Sequence, residues 1–416
     1  MSKYVIEGGA EIKGEVRVSG AKNSVLKLMA AATMAETPSI IHNVPDIADV
    51  RTMMELLQFM GFGVFFSEGT IKIEPASSPK LEAPYHLVQR MRASTCVLGA
   101  LVSRFGKAKV SMPGGCSIGA RPIDLHMSGL SQMGASIEVS HGFIIAETKS
   151  LNGTTICLDY ASVGATENFL MAGALAKGKT IIENAAKEPE IVDLAEFLRK
   201  MGAIIEGDGT STISIEGVSA LKGAEHTVIG DRIEAGTYLI AGAAARGEIR
   251  VTDFDPAHLE IPIEKMKECG CEFDIDRSSV TVRASGRLKG IEVQTLPYPG
   301  FPTDLQPQMQ VLLSTSDGVS FITENVFENR FMISDELNRL GANIKRREHH
   351  AIIRGVEHLS GAPVTAPDLR AGAALVIAGL IAEGITEVND IHHIDRGYEN
   401  FEEKISSIGG KIRRVN

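Results

Sequence analysis

The chain has 416 residues, 44% of them hydrophobic and 23% charged, with no tryptophan and a formal charge of −10. That length exceeds one ordinary core and implies two or three domains. The acidic balance argues against a general nucleic-acid binder, whose affinity rests on a basic face. It leaves room for a small anionic molecule held by a local arginine cluster.

Five cysteines, at 96, 116, 157, 269 and 271, form neither a disulfide framework nor a zinc-ligand spacing. The opening MSKYVIEGGAEIKGEV has no apolar signal core, and no run approaches the roughly 18 apolar residues of a membrane span. These features predict a cytoplasmic protein in a reducing compartment, with no cysteine metal site, no membrane and no nucleic acid among its partners.

In chain order, the predicted elements repeat six times. A strongly apolar helix comes first in each repeat: SVLKLMAAATMAE, STCVLGALVSRFG, ATENFLMAGALAKG, EAGTYLIAGAAARG, DLQPQMQVLLSTSDG and AGAALVIAGLIAEG. Helices apolar around most of their circumference belong inside a core. A short strand follows, as in SIIHN, KAKVSMP, TIIEN, EIRVTD, SFITEN and ITEVND, usually ending near Asn or Asp. Next comes an amphipathic helix that stops at a glycine: Gly61, Gly134, Gly202, Gly270, Gly341 and Gly409, separated by 73, 68, 68, 71 and 68 residues. Apolar residues one and four before each glycine mark a helix C-terminus with a left-handed cap. The alternation after it, as in Ala135-Ser136-Ile137-Glu138-Val139, predicts a strand. Six stacked repeats divide as three plus three, with a junction expected near 217–230.

Polar residues recur at two places in the repeat. One is the N-terminus of the buried helix: Lys22-Asn23, Arg92, Ser162 with Gly164, Asp231-Arg232, Asp304, and Asp368 with Arg370. Helix N-termini expose unpaired N–H groups and favour anions. The other is the loop after the strand: Cys116 with Arg121, Arg330 in VFENRF, and Asp395-Arg396 in HIDRGYE. Taken singly, a loop arginine is equally a surface ion pair worth about 0–1 kcal/mol, and an aspartate at a helix start is equally an N-cap. Cys116, in PGGCSIGARP, is either a small packed hydrophobe or a thiol activated by Arg121. Recurrence at one topological position is what marks the set. His126, His392 and His393 lack a third partner at metal-ligand spacing and are expected to be structural.

At these residues the chain resembles the UDP-N-acetylglucosamine 1-carboxyvinyltransferases, a branch of the EPSP synthase-like enolpyruvyltransferase family. The resemblance runs from VSGAKNS to HIDRGYE, and is carried most specifically by PGGCSIGARPIDLH, with FPTDLQ, TENVFENRFM and DLRAG adding to it. It implies an α/β fold of two inside-out barrels, each of three repeats. One would span 22–228 and the other 1–21 plus 229–416, with the active site between them. It implies transfer of an enolpyruvyl group from phosphoenolpyruvate to the sugar 3′-hydroxyl, with release of phosphate. Cys116 would be the proton donor and the site of a covalent adduct, Asp304 the base, and Lys22 and Arg396 further catalytic groups. Phosphoenolpyruvate would lie against Lys22, Asn23, Arg121, Arg330, Arg370 and Arg396. The nucleotide sugar would lie against Arg92, Arg121, Pro122, Ile123, Asp124, Leu125, Ser162, Val163, Gly164, Asp304 and Val326. Relatives carry lysine where this chain has Tyr160, so a side-chain contact there stays open. A transfer to shikimate 3-phosphate, a binding protein without catalysis, and a thiol hydrolase are the competing readings. ARPIDLH and the cysteine argue against the first, and no histidine sits in a partner motif for the last.

Overall fold

The computed structural model describes residues 2–91, 95–112 and 123–416. Arg92, Cys116, Arg121 and Pro122 therefore lie outside the described residues. Contacts divide the described chain into two compact units: 20–229, and 2–19 with 230–416. Each unit has its own hydrophobic core, one built from residues between Ala21 and Val228, the other from Tyr4–Val18 and Ile233–Ile408.

Six four-stranded sheets match the six repeats. In one, the short strand Glu82–Ala83 runs parallel to Lys107–Ser111, with the buried helix Val97–Phe105 between them in sequence. Lys107–Ser111 pairs antiparallel with Phe143–Glu147, and that strand with Ser136–Ser140. Each sheet thus combines an antiparallel pair with a parallel leading strand, where the sequence pattern predicts one strand after the second helix. Three of the hairpins close in two-residue loops, and in Glu68-Gly69 and His141-Gly142 both residues have positive φ. That is the turn whose twist suits an antiparallel pair.

The buried helices of each unit pack on one another: Lys22–Ala32, Val97–Phe105 and Val163–Ala174 in one, Arg232–Ala244, Gln306–Ser314 and Leu369–Ile381 in the other. Every residue of Arg232–Ala244 is buried, as apolarity around the whole helix requires. Sheets and amphipathic helices lie outside these, the inside-out α/β arrangement. All six cap glycines have positive φ, from 91° to 111°, so the repeated glycine is a backbone requirement. The polar residue that ends the strands has a related cause. Asn43, Asn184, Asp253 and Asp390 have φ between 55° and 68°, a region Asn and Asp tolerate better than other side-chain-bearing residues.

Candidate active site

In the 20–229 unit, Lys22 opens a buried helix that has no side-chain cap. Its ammonium is 3.0 Å from Asp49, a buried carboxylate in the first turn of Ala48–Phe59. One turn on, Lys27 donates to the Asn23 carbonyl at 2.7 Å and lies 3.2 Å from Glu167. Burial pushes the Glu167 carboxyl up to about 7 against the pull of Lys27, and burial likewise pushes the neighbouring Cys96 thiol up to about 12. Cys96 is an inert, packed cysteine. Ser24 donates to Asp193, which accepts from His226 Nε2 at 2.7 Å. The N-terminus that presents Lys22 and Asn23 is anchored from beneath.

Two sequence-predicted segments meet in this unit. Ser162 caps Val163–Ala174 by accepting from the Ala165 N–H at 3.3 Å. Ile123, Asp124 and Leu125 begin the helix Asp124–Gln132, whose His126 ring lies where a Cβ on Gly164 would come within 3.3 Å of it. Glycine at 164 permits that approach. His126 is buried, faces Asn168 Nδ2 at 2.9 Å and is pushed down to about 4 by desolvation; it is a neutral structural histidine, as the sequence predicts. Partial burial and the Asp124 carboxylate push the Tyr160 hydroxyl up, against a hydrogen bond with Ser162. Tyr160 therefore belongs to the same surface as Asp124 and Ser162.

In the other unit the aspartates separate by role. Asp231 caps its helix, with Oδ1 accepting from the Ile233 and Glu234 N–H groups at 2.9 and 3.0 Å. Asp368 does the same for Arg370 and Ala371. Asp304 makes no cap bond in its 3-10 turn Thr303–Leu305. Its Oδ1 accepts from Arg330 Nη2 at 2.9 Å, and its Oδ2 lies 3.2 Å from Arg370 Nε and 3.1 Å from Arg370 Nη2. Both arginines are only 2% exposed. Burial acts against the Arg370 charge, but Tyr398, Asp304 and Asp231 more than offset it, so the proton is held tighter than usual. The Tyr398 ring lies 5.4 Å from the Arg370 guanidinium. Arg330 Nε and Arg370 Nη1 are buried without a hydrogen-bond partner among the described residues.

The turn Ile391–Arg396 brings Arg396 to the same unit, with Asp395 held by Arg414. Val326, 41% exposed, is in the loop that leads to Arg330. The structure thus assembles Asp304, Arg330 and Arg370 in direct contact, and Lys22 and Asn23 on one helix turn of the other unit. Asp49, Glu167 and Tyr398 were not singled out from sequence. Tyr398 was visible within HIDRGYE, but Asp49 and Glu167 carry no local signal beyond a charge in a helix.

The family model for EPSP synthase (3-phosphoshikimate 1-carboxyvinyltransferase) matches residues 6–405. The chain belongs to the EPSP synthase family. Within the family it is 54% identical to UDP-N-acetylglucosamine 1-carboxyvinyltransferase 2 of Carboxydothermus hydrogenoformans, over the whole of both chains. It is 51% identical to the enzyme named UDP-N-acetylglucosamine 1-carboxyvinyltransferase in Thermotoga maritima, over 100% of this chain and 99% of that one. Among solved structures, the enolpyruvyl transferase NikO from Streptomyces tendae superposes with a TM-score of 0.90 at 28% identity, covering 100% and 99% of the two chains. EPSP synthase from Acinetobacter baumannii has the same fold, with a TM-score of 0.77 at 20% identity and full coverage of both. This family member contains no helix long and apolar enough to cross a membrane among its described residues.

Proposed function

We propose that the protein transfers the enolpyruvyl group of phosphoenolpyruvate to the 3′-hydroxyl of UDP-N-acetylglucosamine, releasing phosphate, at the first committed step of peptidoglycan synthesis. Full-length relatives at about half identity support this reaction over transfer to shikimate 3-phosphate. The observation that carries the site is Asp304 held between two buried guanidiniums, of which Arg330 Nε and Arg370 Nη1 have no hydrogen-bond partner among the described residues. Burying an arginine is unfavourable unless its charge and its donors are satisfied. A doubly anionic substrate supplies what Asp304 alone does not.

The chemistry needs an acid, a base and cations, with no metal or organic cofactor. Cys116 gives its proton to the terminal carbon of phosphoenolpyruvate, leaving cationic character at the adjacent carbon. Asp304 takes the proton of the sugar hydroxyl as it attacks there. Return of a methyl proton to the Cys116 thiolate and expulsion of phosphate then restore the double bond. Lys22, Asn23, Arg121, Arg330, Arg370 and Arg396 hold the phosphate and carboxylate by charge-assisted hydrogen bonds. Arg92, the segment from Arg121 to Leu125, the segment from Ser162 to Gly164, and Val326 hold the nucleotide sugar. In this reading the protein is a cytoplasmic enzyme of two domains, 22–228 and 1–21 plus 229–416, without a nucleic-acid partner.

The test is phosphate release from phosphoenolpyruvate, measured with and without UDP-N-acetylglucosamine, for wild type and Cys116→Ala. Release that requires the sugar nucleotide and falls by orders of magnitude in a folded Cys116→Ala variant is expected. A folded wild type that binds the sugar nucleotide but releases no phosphate would leave a binding protein in its place.

A further inference from the structure

In four of the repeats the residue after the strand that follows the buried helix is an Asn or Asp with positive φ. The repeat that carries Asp304 departs from this. After Val319–Thr323 stands Glu324, which is 1% exposed and absent from the positive-φ residues. Its carboxylate is fully engaged. Oε1 accepts from Thr295 Oγ1 at 2.9 Å, from the Val326 N–H at 2.8 Å and from the Phe327 N–H at 3.1 Å. Oε2 accepts from Thr303 Oγ1 at 3.0 Å.

These bonds close a ring around the candidate site. Phe327, held by Glu324 through its N–H, accepts from the Arg330 N–H through its carbonyl at 3.2 Å. Arg330 reaches Asp304 at 2.9 Å. Asp304 follows Thr303 in the chain, and Thr303 returns to Glu324. One buried carboxylate therefore ties the turn that carries the base to the loop that carries its guanidinium partner. A carboxylate that accepts several N–H and O–H bonds is held rigidly, and low local dielectric strengthens each of them.

We infer that Glu324 is a positioning residue for the transfer reaction: through Thr303 and Phe327 it fixes the distance between Asp304 and Arg330 and so aligns the base with the sugar hydroxyl. This role rests on the reaction proposed above. Glu324 touches no substrate in it; it sets the geometry of groups that do. Misalignment of a reacting group by about 1 Å costs on the order of a hundredfold in rate, so the effect belongs in turnover more than in affinity.

The test compares Glu324→Gln, Thr303→Val, Thr303→Ser and the double variant Glu324→Gln/Thr303→Val in the full-length enzyme. It measures kcat, KM for both substrates, and the melting temperature. Glutamine places an amide donor where the carboxylate accepts, and valine removes the Thr303 hydroxyl without changing the shape of the side chain. Each of these two is expected to lower kcat by about ten- to a hundredfold, with a smaller change in either KM. Thr303→Ser, which keeps the hydroxyl, is expected to recover most of the rate. The double variant is expected to be little worse than the poorer single one, because both break the same link. If Glu324→Gln does not fold, the Thr303 pair still decides the matter. Unchanged kcat in the folded variants, a rise in KM alone, no recovery in Thr303→Ser, or additive losses in the double variant would each overturn the role. A wild type that releases no phosphate would instead overturn the reaction, and this role with it.

Discussion

Asp304 shows how much depends on a single side chain in this protein. Removing it would leave two buried guanidiniums without their carboxylate, a loss of about 3–5 kcal/mol for a broken buried pair, so an Asp304 variant confounds folding with chemistry. That is why the geometry is better interrogated at Thr303 than at Asp304 itself. The buried carboxylate of Glu167 reports on folding directly. Its pKa is raised from an ordinary value of 4.5 to about 7, chiefly by burial, with Lys27 opposing. Between these values the folded protein holds a proton that the unfolded chain has released, so stability falls as pH rises through this window and levels off above it. The size is on the order of 3 kcal/mol, from about 1.4 kcal/mol per unit. Glu167→Gln cannot titrate. The wild-type melting temperature should therefore drop relative to that of the variant between pH 5 and pH 8, while a gap constant across that range would refute the assignment. Neither carboxylate could be ranked from sequence. Asp231, Asp304 and Asp368 all precede an apolar helix, and only the packing shows two of them capping and one clamped by arginines.

At the scale of elements, the repeat was legible because its punctuation is a backbone necessity. A helix that ends in a left-handed residue favours glycine, and a glycine with φ from 91° to 111° stands at each of the six positions the spacing marked. The hairpins were not legible. Their second strands, such as Thr70–Glu74 and Phe143–Glu147, pair in the middle of a sheet and carry the same alternation as any edge strand. Their two-residue loops, Glu68-Gly69 and His141-Gly142, contain only one glycine each as a signal. The cap glycines also differ in what surrounds them. At Gly202, with φ +111°, an added Cβ meets nothing within 4 Å. Gly202→Ala should therefore lose only the backbone strain of about 1–2 kcal/mol. At Gly409, with φ +94°, the same atom would lie 2.4 Å from the Glu11 carbonyl oxygen. Gly409→Ala should lose clearly more, read as a larger fall in the denaturation midpoint of the unit that carries it. Equal losses at the two sites would mean that the 8–12 segment yields freely.

For the whole molecule, the question is how a linear set of six repeats closes into two units. Each repeat's sheet needs a leading strand, and in each unit the first repeat takes it from elsewhere. In the 20–229 unit Glu225–Thr227 supplies it, parallel to Ser39–His42. In the other unit Lys13–Arg17 supplies it, parallel to Glu248–Thr252. Lys3–Glu7 goes further, lying between Ile385–Asn389 and Lys411–Val415 and pairing antiparallel with both. Nothing local in KYVIE or KGEVR indicates partners some 230 to 410 residues away, so only the family resemblance attached these residues to the second domain. The pairing has a direct consequence. A chain that begins at residue 20 lacks the central strand of one sheet and the parallel edge of another. It exposes apolar side chains that Tyr4, Ile6, Ile12, Val16 and Val18 now help to cover in that core. At about 25 cal/mol per Å² of apolar surface, and with native stabilities of only about 5–15 kcal/mol, the 230–416 unit is not expected to survive. The 20–229 unit uses none of these strands and should keep its protection. Hydrogen exchange on the truncated chain checks this: fast exchange confined to 230–416 is the expected pattern. Protection retained in Ile385–Asn389 and Lys411–Val415 would mean that these strands hold their sheet without the segment that joins them.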